Sequence, residues 1–135
     1  MNNEVDFQYV AKQECLPLTI CKQLKNSFNE HKINLNEDCL TQLVSVVVSI
    51  LKAVGNGVVQ THGQFDIVKG LKQEYITPAD VQLLIQYDLY QQLERSNEIK
   101  NINYNTLKDI SREIVTCLTN YKLEDHHAQQ IKVKG

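Results

Sequence analysis

Few residues of this chain are of a type that could do chemistry, and their spacing speaks against most of it. Glu124, Asp125, His126 and His127 put four metal-ligating side chains in a row, but a cation needs ligands that converge, whereas these are adjacent on a polar tail. They read as a solvated end. His31 and His62 stand alone in turn contexts and read as surface residues rather than bases. Asp80 follows Thr77 by three positions, and a threonine N-cap with an acid at the third helical position accounts for both as a helix cap without catalysis. Gly55-Asn56-Gly57 is a lone glycine pair in an apolar stretch, better suited to close helix packing than to cradling phosphate. There is no GxSxG, no glycine-rich phosphate loop and no carboxylate pair on a plausible scaffold. The chain is therefore expected to be non-enzymatic, with no cofactor and no metal.

At 135 residues it is read as one domain, and a domain of this size buries about 68% of its unfolded surface. Neither disulfide nor metal is required for it to fold. Cys15, Cys21, Cys39 and Cys117 form no CxxC pair and lie in helical or near-helical contexts, which reads as reduced core thiols in an intracellular protein, cytoplasmic or nuclear. MNNEVDFQYV carries acids and no apolar leader core, and Lys52 and Asn56 interrupt the longest apolar run, so neither secretion nor a membrane span is expected. The formal net charge of -2 arises from 14 basic residues spread among 16 acidic ones. Lys22, Lys25 and Lys32 are the nearest approach to a basic cluster, with Glu30 and Glu37 close by. No strong binding to DNA or to anionic membrane is expected from so few cations.

The elements that would position any site are organised around Leu40 to Val59, LTQLVSVVVSILKAVGNGVV, the one stretch apolar enough to be buried on nearly all sides. Asn36, Glu37 and Asp38 before it supply a cap and two acids suited to the positive end of a helix dipole. Val44, Val46, Val47 and Val48 are β-branched and favour strand, and Asn56-Gly57 also fits a hairpin turn. Helix is favoured because Leu40, Leu43, Val44, Val47, Ile50, Leu51, Val54 and Val58 follow helical spacing.

Around it the chain divides into an N-terminal arm over 1–15 with no assigned element, a helical domain over 16–98, a C-terminal helix over 99–123 and a polar, frayed tail over 124–135. Pro17 suits a first helical turn, and Ile20, Leu24 and Phe28 then recur at i, i+4 and i+8, with Lys22, Lys25 and Asn29 opposite, giving a helix to about Glu30. Thr77-Pro78-Ala79-Asp80 is the clearest helix start in the chain, with Thr77 and Asp80 as the cap. Val81, Leu84, Ile85, Leu89 and Leu93 form its apolar stripe, while Gln82, Gln86, Gln91 and Glu94 are expected to face away. A last helix is expected near Thr106, capped with Asp109, and its seam of Leu107, Ile110, Ile114, Cys117 or Leu118, and Tyr121 calls for a partner helix.

Ile76-Thr77-Pro78-Ala79-Asp80-Val81, after a short helix and a long central one, resembles the third-helix start of the histone-fold family. The chain is further similar, over about 17–95, to the histone-like domain of the Son of sevenless Ras exchange factors. His31-Lys32-Ile33-Asn34, Ile50 through Asn56, Tyr75-Ile76-Thr77 and Asp80-Val81 carry this likeness, and Tyr104 to Tyr121 resembles the helix leading into that family's Dbl-homology domain. The resemblance implies an all-α, histone-fold-like domain plus a C-terminal helix, with Ile76 on a short β-bridge. Residues 60–74 are longer than the family's connection, there is room for one fold rather than two, and the family's lipid-binding basic surface has no visible counterpart. Because histone folds pair crosswise through the central helix, Leu40, Leu43, Val44, Val47, Ile50, Leu51, Val54 and Val58 are the expected partner interface. The expected partner is a protein or neighbouring domain, in a homo- or heterodimer. The implied function is a regulatory protein-interaction module like that of the Ras exchange factors. The alternatives are a histone-fold subunit of a nuclear transcription or kinetochore complex acting by heterodimerisation, and an unrelated small helical binding protein.

Overall fold

A computed structural model describes residues 5–56, 77–96 and 102–134, with side chains described up to residue 119. Five helices occur among the described residues: α1 Phe7–Ala11, α2 Leu16–Glu30, α3 Glu37–Gly55, α4 Pro78–Ser96 and α5 Tyr104–Lys134. The protein is all-α there, with no strand. The β-bridge implied at Ile76, together with Gly57, Val58 and His62, lies outside the described residues.

The N-terminal segment is more than an arm. Asp6 caps α1 by accepting the Tyr9 amide at 3.1 Å, and Phe7 and Val10 are buried against the core. This one-and-a-half-turn helix packs on the end of α3 at Gly55, where a Cβ would collide with the Phe7 carbonyl oxygen and the Ala11 methyl. Gly55 is thus the close-packing glycine expected from the sequence. Five residues are too few to show a helical period, and so short a helix forms only through its tertiary contacts.

α2 begins with Pro17 in its first turn and buries Leu16, Ile20, Leu24 and Phe28. Its end is a Schellman motif: the Ile33 amide donates to the Phe28 carbonyl at 2.8 Å and the Lys32 amide to the Asn29 carbonyl at 2.9 Å. The motif requires a left-handed residue, and Lys32 takes that role at φ 61°, a position that glycine fills without steric cost. α3 starts where expected, with Asn36 Oδ1 accepting the Cys39 amide at 2.7 Å, and Glu37 and Asp38 occupy its first turn. It is helical through Gly55, so the β-branched valines do not break it, and Asn56 is its C-cap.

Thr77 and Asp80 form a reciprocal capping box at the start of α4: the Asp80 amide donates to Thr77 Oγ1 at 3.2 Å and the Thr77 amide to Asp80 Oδ2 at 3.0 Å. All five stripe residues of α4 are buried. Gln86 corrects the expected polar face, because it is buried and its Nε2 donates to the Tyr104 carbonyl at 3.2 Å. α5 starts two residues before Thr106. Asn103 Oδ1 accepts the Asn105 amide at 2.8 Å, and Asp109 pairs with Arg112 at 3.1 Å instead of capping. The backbone of α5 is helical to Lys134, beyond the expected end at 123. Its seam, Leu107, Ile110, Ile114 and Leu118, is buried, and α5 packs on α4 and α2.

Replacing Lys32 with glycine should raise stability by about 0.5–1 kcal/mol, by removing the left-handed strain on a side-chain-bearing residue. Urea unfolding would read this as a higher midpoint at unchanged slope. Thr77→Ala should cost roughly 1 kcal/mol through loss of the cap, and an unshifted midpoint would mean that the capping box does not hold the start of α4.

Candidate partner-binding surface

The face expected to receive a partner is already covered by the chain itself. Leu40, Leu43, Val47, Ile50, Leu51 and Val54 are all buried, none more than 7% exposed. The cover comes from α1, α2 and α4. Val44 is half-buried and Val58 lies outside the described residues. Six of the eight expected interface positions are therefore core positions. The physical reason is that α1, which has no legible period, closes one end of α3, so less of the helix is left open than α2 and α4 alone would leave. By length and composition α3 is also long and apolar enough to cross a membrane, a test that the core helix of a fold passes equally.

What the bundle leaves open is a groove of about 920 Å³ beside α2. Its floor is made by Phe28 and Leu40, both buried, and by Ile33, Leu35 and Cys117, which are half-buried. Its rim carries Lys22, Lys25, Asn26 and Asn29 from the exposed face of α2, with Asn34 and Glu37 across the turn. The Schellman turn builds this groove. By reversing the chain at Lys32 it swings Ile33 back over Phe28, and the extended residues up to Asn36 then carry Leu35 alongside. Two of the three lysines singled out in the sequence thus share one groove, a convergence that their spacing of three on α2 foreshadows.

His31 does not stand alone. Its Nε2 lies 3.3 Å from Glu113 Oε2, tying the C-cap of α2 to α5, while Glu113 Oε1 and Ser111 Oγ are buried without a hydrogen-bond partner. Glu113 was not legible as a site residue, since its partner is 82 positions away. Of the four cysteines only Cys39 is a core residue; Cys21 and Cys117 are half-buried and Cys15 is exposed, which corrects the reading of all four as core thiols. Among the described residues no group of His, Cys, Asp or Glu is arranged to hold a metal, and the side chains of 124–127 lie outside them. The phenol of Tyr90 has its pKa raised, first by the hydrogen bond it donates to Glu94 Oε2 at 2.9 Å and then by the charge of that carboxylate. Its ring meets Tyr104 edge-on at 5.3 Å, a contact joining α4 to the start of α5. Leu18 and Leu83 are exposed, but they lie on different helices as single residues, which is ordinary for a protein surface.

Comparison with protein families, with curated proteins and with solved structures finds no match to this chain.

Because Leu51 is a core residue, Leu51→Asp should unfold the protein rather than merely separate it from a partner. An unpaired carboxylate in an apolar interior costs several kcal/mol, about as much as a small domain's whole stability. Circular dichroism of the variant is expected to lose its helical signal at 25 °C. A folded variant that fails only to associate would restore the central helix as an interface.

Proposed function

We propose that this chain is a non-enzymatic, regulatory protein-interaction module of histone-fold type, like the histone-like domain of Ras guanine-nucleotide exchange factors, in which the chain's own helices cover the central one. The observation that carries this reading is the enclosure of α3: Leu43, Val47 and Leu51 have no exposed surface, so the module needs no second fold to complete its core. A partner then meets a finished surface instead of exchanging helices. The order of α2, α3 and α4, with the Thr77–Asp80 box at the head of α4, supports the histone-type resemblance. A nuclear subunit that heterodimerises through its central helix is disfavoured by the same enclosure, since pairing there would first require the core to open.

Sedimentation at tens of micromolar should give a monomer of 15.5 kDa. Mixed with the Dbl-homology domain of a Ras exchange factor and, separately, with a histone-fold subunit, the chain should shift with the first alone. A stable dimer, or a complex only with the histone-fold subunit, would overturn the reading in favour of the heterodimerising one.

A further inference from the structure

We propose that the α2 groove is the docking site of an acidic peptide segment of a partner protein, one carrying aspartate or glutamate along one edge and apolar side chains along the other. Resting on the reading of the chain as an interaction module, this gives that module a site and a chemistry. Three features of the groove agree on such an occupant. The first is charge: Lys22 and Lys25 lie on one exposed face of α2, and neither forms an ion pair within the described residues. Against these two cations the lining holds, among the described residues, one carboxylate, Glu37, in a chain whose net charge is -2. The rim is thus a local exception to the protein's overall sign, and complementary charge there favours an acidic ligand and suppresses a basic one.

The second feature is unspent hydrogen bonding. Among the described residues the side-chain amides of Asn26, Asn29 and Asn34 have no partner within the chain. Each presents two donors and an acceptor, a mixed capacity that matches the alternating N–H and C=O groups of a peptide backbone better than it matches an anion alone. The third is the floor: Ile33, Leu35 and Cys117 are half-buried rather than sealed, so apolar side chains reach them below the level of the lysines. A flat membrane surface satisfies the charge but cannot fill such a floor. A small ligand would be expected to find buried, convergent polar groups, whereas the polar groups here are exposed and spread along α2 and the turn after it, as a linear segment requires.

The test uses the full chain. Random octapeptides displayed on phage are selected against the wild type and against the Lys22→Glu/Lys25→Glu variant, whose exposed positions leave the fold intact, as circular dichroism would verify. The peptides enriched on wild type are expected to interleave Asp or Glu with apolar residues. By fluorescence polarisation they should bind the variant about tenfold more weakly, the effect of reversing two rim charges. Replacing their acids with lysine should restore affinity for the variant. Ile33→Ser should weaken the same peptides without changing their preference for acid. Enrichment of peptides without acids, equal affinity for the variant, or no enrichment at all would overturn the assignment. So would lysine-dependent binding to phosphatidylserine vesicles, or lysine-dependent self-association, in place of peptide binding. A complex with a partner domain that persists in the variant would remove the groove while leaving the interaction reading standing. Failure of every partner domain to bind, with groove peptides still selected, would do the reverse.

Discussion

Leu43, Val47, Leu51 and Val54 occupy successive turns of α3 with at most 1% of their surface exposed, and α1, α2 and α4 are placed so as to keep them covered. Full burial of a side chain of this size is worth roughly 1.5–3 kcal/mol, so the stripe contributes several kcal/mol to holding the bundle together. α2 and α4 lie against it with apolar stripes of their own, and the five residues of α1 close the end at Gly55. α5 then covers α2 and α4 in turn. A helix this apolar would otherwise present a sticky face to any neighbour. Enclosing it leaves the core complete within the chain's own helices.

The surface groove is set by the same packing. The left-handed turn at Lys32 is the point where α2, having buried Phe28, gives way to a chain that re-enters the core at Cys39 and Leu40. The segment between them crosses the open side of α2, and the groove is the space it encloses. Lys22 and Lys25 line its rim on the exposed face of α2, while Ile20 and Leu24 turn into the core and Phe28 serves both the core and the groove floor. The His31–Glu113 pair fixes the far end of α2 against α5. The core and the groove therefore share residues: Phe28 and Leu40 belong to both.

The run of valines in α3 shows how local preference yields to burial. β-branched residues lose rotamer freedom in a helix, at a cost of tenths of a kcal/mol each. Val47 gains more by full burial than it loses in this way, and Val44, Val46 and Val48 are packed against the core from its flanks. Helical spacing of the apolar residues, rather than the propensity of any one of them, was the reliable signal here. Gln86 shows the opposite case. It lies between buried stripe positions, and a glutamine there reads as solvent-facing until a carbonyl from α5 supplies its hydrogen bond.

By itself the sequence determined the all-helical class, the starts of α2, α3 and α4, and most of the core. Those features depend on interactions within four residues or on a period visible along one helix: Pro17 in a first turn, Asn36 reaching the amide of Cys39, Thr77 and Asp80 capping each other. Tertiary structure decided the rest. It made a helix of Phe7–Ala11, whose five residues have no stable helical form alone. It moved the start of α5 to Tyr104, where Asn103 competes successfully with the equally plausible Thr106. Above all it decided that six of the residues expected to face a partner face their own chain instead. Periodicity reveals that a stripe must be buried, but what buries it is set by contacts between residues far apart in the chain.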